Sequence, residues 1–411
     1  MLKLSGIISV VQPLGVVAAL YLAASPAAAQ SAHLSRDPSL GEEWQWMEFG
    51  DSVAVQGRTA AAAVPVAGAV QIHTTDVNRT AWTLQTILQA EDTSPANQGF
   101  GSGLAIQGKQ LVVGTTTTFR IYKRAPQGFQ LQQIVPLPAG HTLGFITPME
   151  FENGVLAFKA NSSTAGNVVL TYRVNERGKA KELAFRGQSP LRTDGQLSLD
   201  ADGDAMAIGD YGSAGDVAVF QRHGNEWVLK DTIPKPNAAA GGFGAGVALH
   251  GRKLVVGAPG EIPEGAGGGW EPYDPNSGAV YVYRRQNGHW VLVQRIGTVD
   301  VPNLDLHSFG TQIATNGRYF AITAPHNGDF TINALETGPA SLFKWNGSGL
   351  DYVKRLSNVA ARSAIDMSGR YVIAGGWVTD SWASYWEDVW IVDLNPDTDT
   401  DVRAADDSDE D

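Results

Sequence analysis

One frame recurs seven times along this chain: a glycine that closes a short alternating stretch, followed by an apolar run. It is plainest in HGRKLVVGAP, anchored on Gly251. It returns at Gly57 (QGRTAAAAVP), Gly108 (QGKQLVVGTT), Gly154 (ENGVLAFKAN), Gly203 (ADGDAMAIGD), Gly317 (TNGRYFAITAP) and Gly369 (MSGRYVIAGG). Successive anchors stand 51, 46, 49, 48, 66 and 52 residues apart. That period belongs to propeller blades rather than helical solenoids.

The units share an internal plan. Four of them place Phe-Gly eight residues before the anchor: Phe49-Gly50, Phe100-Gly101, Phe243-Gly244 and Phe309-Gly310. A short alternating strand leads to the anchor, where glycine supplies the positive φ of a tight hairpin. An apolar strand leaves it, with both faces suited to burial between stacked blades. A third strand follows a loop (GAVQIHT, TFRIYKR, NVVLTYRV, GDVAVFQR, GAVYVYRR, PASLFKW, DVWIVDL). A fourth usually opens with an aromatic, as in WTLQTIL, WVLKDTI and WVLVQRI. The chain is therefore expected to be all-β, a seven-bladed propeller of four-stranded antiparallel blades. Only six fourth strands are complete, so an N-terminal strand is expected to close the ring. GEEWQWMEF, Gly41 to Phe49, is the candidate, since closure removes the free sheet edges. Taken alone, Gly242, Gly244 and Gly246 also suit a phosphate cradle. Such a cradle opens a helix, whereas a β-hairpin pattern follows here.

Phe-Gly followed by Gly257-Ala258-Pro259, with the variant Thr323-Ala324-Pro325, resembles the FG-GAP repeat. The resemblance covers about residues 41 to 396. It implies a propeller like that of integrin α chains, which also occurs in secreted bacterial proteins, and it implies binding rather than catalysis. Integrin-type propellers bind protein ligands on one face and calcium in first-hairpin loops of the form Asp-x-Asp-x-Asp-Gly-x-x-Asp. Asp200, Asp202 and Asp204 fall at that hairpin and are the metal candidates. This hairpin is shorter than the family's, however, and has Ala205 where a further Asp is needed. The family's calcium is not carried over, and no cofactor is required.

The loops between second and third strands are longest in the fifth unit (EIPEGAGGGWEPYDPNSG) and the seventh (GGWVTDSWASYWED). Trp270, Tyr273, Asp274, Trp377, Trp382, Tyr385 and Trp386 are the ligand-binding candidates. Aromatic faces beside acids suit sugar rings, and Trp and Tyr also anchor protein interfaces. The same rings could instead bury themselves against blade edges. Glu261, Glu264 and Asp274 offer a second carboxylate group for calcium. No catalytic constellation emerges: the eight His are scattered, and no His-x-x-x-His pair with Glu or Gly-x-Ser-x-Gly occurs. The expected function is an exported, non-enzymatic binding or adhesion module that recognises a protein or cell-surface ligand through one propeller face, with a glycan ligand, or a propeller enzyme acting on an extracellular polymer, as alternatives.

Composition bounds the rest. No cysteine occurs, which excludes disulfides and thiolate metal sites. The formal net charge of -12 argues against nucleic acid as a partner. Lys3, an apolar run from Ile7 to Ala24 and SPAAAQ form a secretory signal pattern over 1–29, cleaved after Ala29. Residues 30–40 are expected to be a linker and 41–396 the propeller. The chain should be secreted, periplasmic or extracellular, with no membrane-spanning segment after cleavage. From Pro396 the chain carries eight acids against Arg403 alone, and 397–411 is expected to be a disordered acidic tail.

Overall fold

The computed structural model describes residues 31–40, 49–77, 81–91, 98–144, 146–186, 193, 195–199, 202–210, 215–262, 277–301, 308–324, 340–356, 364–379 and 385–394. They form seven sheets in a ring, antiparallel except where Ala184–Phe185 runs parallel to Glu226–Trp227 at the rim of blade four. Blade one runs Val53–Gln56, Thr59–Val64, Ala69–Thr75 and Trp82–Gln89 from axis to rim. Blades two to six cover 104–136, 141–182, 184–233, 247–297 and 313–356. Blade seven holds Ala364–Ser368, Tyr371–Thr379 and Tyr385–Asp393. Among the described residues the only helical elements are three-residue 3₁₀ turns, and no helix is long and apolar enough to cross a membrane.

The closing strand is Ser31–Leu34, which pairs antiparallel with the last strand in the register Ser31↔Val392 to Leu34↔Val389. The ring is thus closed from the N-terminus, but about ten residues earlier than Gly41 to Phe49. Ala32 pairs with Ile391, Leu34 is buried, and the His33 ring lies 4.7 Å from that of Trp390. Of the expected closing stretch, Phe49 is buried at the start of blade one; residues 41–48 lie outside the described residues.

The local rules of the repeat are visible in the backbone. All seven anchor glycines have positive φ, between 55° and 83°. In five blades the third-to-fourth strand pairing slips by one residue at the same place, as between Ile72 and His73 or Val282 and Tyr283. A bulge repeated there adds twist to each outer strand.

Hydrophobic packing is divided into seven clusters, one per blade interface. Phe49, Phe100, Phe243 and Phe309 each sit in one of them and are at most 1 % exposed. Burying each phenyl contributes roughly 1.5–3 kcal/mol. The glycine after each Phe has φ between 88° and 98°, and its N–H bonds the second strand of its own blade. For Gly50, Gly244 and Gly310 the carbonyl lies against the second-strand glycine of the preceding blade, whereas Gly101 faces Ala63 of blade one. A Cβ on Gly257 would stand 1.8 Å from the Gly310 oxygen, one on Gly209 1.9 Å from that of Gly244, and one on Gly375 2.0 Å from that of Gly50. Phe-Gly and the glycine of Gly-Ala-Pro are therefore two halves of one contact, made between successive blades.

Candidate functional site

The innermost strands surround the ring axis, and two cavities lie along it. The larger, about 460 Å³, is lined by residues from all seven blades. The smaller, about 210 Å³, is lined by the hairpin ends of the same strands. Four residues line both: Glu150, Gln196, Ile365 and Asp366. They form the waist of the axial channel. The large cavity opens at the end where second strands finish. Pro259 belongs to its wall and leads straight into the 263–276 connection.

The waist is held by hydrogen bonds that staple one blade to the next. The Asp366 carboxylate accepts from Val55 N–H of blade one at 2.7 Å and from Met367 N–H at 2.7 Å. Gln196 Oε1 accepts from Val247 N–H at 3.1 Å and Ile313 N–H at 3.2 Å, and its Nε2 donates to the Ile313 carbonyl. One blade-four side chain thereby ties blades five and six. The Glu150 carboxylate accepts from Leu199 N–H. Ser198 Oγ repeats the pattern, accepting from Leu249 N–H at 3.0 Å.

The two waist carboxyls touch the cavity while the ring encloses them, so each loses most of its hydration. Burial pushes Asp366 up to about 6, partly offset by the Val55 and Met367 N–H groups. Glu150 is raised well above the usual carboxylate range, first by burial, then by the like charges of Asp366 and Glu152. The charged lining of the large cavity is completed by Asp51 and Lys159, that of the small one by Glu152 and His250. Carboxylates outnumber cations in both.

Of the sequence candidates, Trp270, Tyr273, Asp274, Trp382 and Asp200 lie outside the described residues. The seventh unit's long loop is mostly hairpin. The second strand continues to Thr379 and the third begins at Tyr385, with Trp377↔Glu387, Val378↔Trp386 and Thr379↔Tyr385 in register. β-Branched and aromatic residues extend the ladder there. Asp202 and Asp204 occupy the blade-four hairpin. The Asp202 carbonyl accepts from Asn153 Nδ2 and the Asp204 carbonyl from Gln221 Nε2 and Arg222 N–H. Asp204 lines a cleft of about 270 Å³ shared with Lys230, Arg252 and Arg285, surroundings that disfavour a cation. Among the described residues no three His, Asp or Glu side chains could hold a metal ion together.

Glu261 is not a free carboxylate. It is buried, with Oε2 accepting from Tyr281 Oη at 2.6 Å and Oε1 from Arg295 Nε at 2.8 Å. Its carbonyl accepts from Gly278 N–H, and Gly278 in turn bridges Phe309 of blade six. Glu261 therefore clamps both feet of the 263–276 connection. Glu150, Gln196 and Asp366 were missed, although a signal existed. MEFENG and AIDMSG carry acids before the anchor where units such as GVALHG carry apolar residues.

Fold and cavity together define a seven-bladed β-propeller with a closed rim and an acidic axial waist. A chain in the structure of a mitotic checkpoint complex is similar with a TM-score of 0.52 and 13% identity, over 96% of this chain and 99% of that one. A protein of unknown function from Desulfotomaculum acetoxidans aligns with a TM-score of 0.48 and 12% identity, over 78% and 88% of the two chains. A protein provisionally described as a 6-phosphogluconolactonase from Bacteroides fragilis aligns with a TM-score of 0.45 and 13% identity, over 74% and 83%. At such identities the likeness is one of fold. No protein-family model and no curated protein matches the chain.

Proposed function

We propose that the protein is an exported binding module of FG-GAP type. Its ligand, a protein or cell-surface structure, seats over the end of the ring where the long connections leave. One observation carries this reading. A cavity of about 460 Å³ is axial, draws on all seven blades, and opens beside the clamped feet of the 263–276 connection. Its volume falls within the roughly 300–1,000 Å³ usual for ligand sites. The secretory pattern of residues 1–29 and the resemblance to integrin-type propellers support the same reading. A glycan ligand is the second reading, favoured by the aromatic residues Trp377, Tyr385 and Trp386 of the hairpin in blade seven.

The test uses the full chain on arrays of extracellular proteins and of glycans, beside the Trp270→Ala and Trp382→Ala variants. Binding to one class, weakened at least tenfold in the variants, is expected. Binding that both variants retain in full would remove the loops from the site.

A further inference from the structure

We propose that the axial waist receives a protonated alkyl amine, with its ammonium group between Glu150 and Asp366 and its carbon stem against the apolar wall of the large cavity. The inference rests on the reading of the cavity mouth as a ligand site and names the chemistry that site takes.

Three observations converge. First, Glu150 and Asp366 line both cavities, so a ligand entering the large one meets them as its floor. Second, the wall above them is largely aliphatic, with Val53, Leu104, Met149, Leu197 and Ile365. Such a wall suits a carbon chain rather than a hydrated ion. Third, the carboxylates have limited capacity left. Both Asp366 oxygens already accept a backbone N–H, Glu150 accepts one, and Gln196 Oε1 accepts two. A calcium ion needs six to eight oxygen ligands, which this waist cannot supply. An ammonium group has only three N–H donors to place, and the remaining lone pairs suffice.

The waist sets two carboxyls side by side in a poorly hydrated place, where their mutual repulsion helps to raise Glu150. A cation between them replaces lost hydration and cancels their repulsion. Asp51, at the mouth, and Glu152, below, add negative potential; Lys159 at the mouth and His250 below oppose it. Binding requires ionised carboxyls. Burial raises both, Asp366 to about 6 and Glu150 well above the usual carboxylate range, so affinity grows as pH climbs through their titrations and fades as pH falls through them.

The amine can come from a free diamine or from a lysine side chain of a protein partner. Calorimetric titration of the full chain with 1,5-diaminopentane and with acetyl-Gly-Lys-Gly-amide covers both sources, and 1,5-pentanediol serves as the uncharged mimic. At pH 8 at least one amine should bind, with affinity at least tenfold lower at pH 5, and the diol should not. A tighter lysine peptide assigns the site to a protein partner, a tighter diamine to a free amine. Glu150→Gln should weaken binding at least tenfold. Asp366→Asn also disturbs the staple to Val55, so Ala245→Leu, which fills the cavity without touching either acid, is the second variant and should block entry. The proposal is overturned if neither amine binds the folded chain at pH 8, if the diol binds as well as the diamine, or if both Glu150→Gln and Ala245→Leu leave affinity unchanged. The titration does not involve the tryptophan loops. A null result beside loop-dependent array binding would remove the amine site and leave the binding module standing.

Discussion

Two glycines six residues apart in blade five should respond to alanine in opposite degrees. At Gly251 the backbone φ is +55° and an added Cβ meets nothing within 4 Å. The cost there is conformational alone, roughly 1–2 kcal/mol for an L-residue in the left-handed region. At Gly257 the new Cβ would stand 1.8 Å from the Gly310 oxygen, 2.7 Å from its carbonyl carbon and 3.0 Å from its Cα. These are backbone atoms, and they are pinned. Gly310 N–H bonds the Thr323 carbonyl at 2.9 Å, and Gly257 is held by Gly246 and Gly244 at 2.8 and 2.9 Å. Relief requires blades five and six to part by more than about 1 Å, which also loosens the packing around Phe309. Overpacking in a core typically costs about 1–3 kcal/mol when side chains can yield; with backbone on both sides, Gly257→Ala should cost about 3 kcal/mol or more. Urea denaturation followed by tryptophan fluorescence compares the two. Gly251→Asn should be milder than Gly251→Ala, because Asn tolerates the left-handed region. Equal losses for Gly251→Ala and Gly257→Ala would refute the account of Phe-Gly and Gly-Ala-Pro as one contact.

Three further outcomes are expected. His73 is 5 % exposed on blade one, and burial holds its imidazole down at about 4. The unfolded chain takes up the proton near pH 6.5 and the folded one only near 4, so stability is lost as pH falls through that window, by about 3 kcal/mol. Asp366 works in the opposite direction, since its raised value favours the folded state as pH falls below 6. The His73 contribution is therefore measured as the gap between wild type and His73→Leu at pH 7 and pH 4, and a gap independent of pH would dismiss it. Deleting Ser31 to Leu34 should lower the melting temperature and broaden the transition, because blade seven then has a free edge; a variant that melts like wild type contradicts the closure. Glu261→Gln should leave secondary structure by circular dichroism intact yet speed limited proteolysis within 263–276, and an unchanged cleavage rate would show that the clamp does not restrain this connection.

The ring was visible in the sequence because a propeller is local. Each hairpin is written in a glycine that must reach positive φ, and four of the seven interfaces in the phenylalanine of a Phe-Gly that must be buried. These signals lie within about fifty residues and recur in register. The closing strand escaped because SAHL is too short to show a period, while Trp44 and Trp46 gave the later stretch the look of a fourth strand. The seventh unit's GGWVTDSWASYWED was read as a long loop, yet GGWVT and YWEDV pair as strands. The axial carboxyls were hidden for a different reason. Glu150 and Asp366 are 216 residues apart in the chain. Nothing in the sequence links the two strands until the ring brings both acids to the axis.

Closure by Ser31–Leu34 gives the molecule a strict order of completion. The strand that pairs with Val389 to Val392 is among the first made and its partner among the last. Six interfaces can form as their blades emerge, but the seventh waits until the chain has been made almost to Asp393. Until then blade seven has an unpaired edge, and the apolar faces that meet around Phe49 and Ile373 stay uncovered on both sides of the gap. A chain cut short at either end stays in that sticky state. The last contact of the ring to form is thus the one that brings together the segments most distant in sequence.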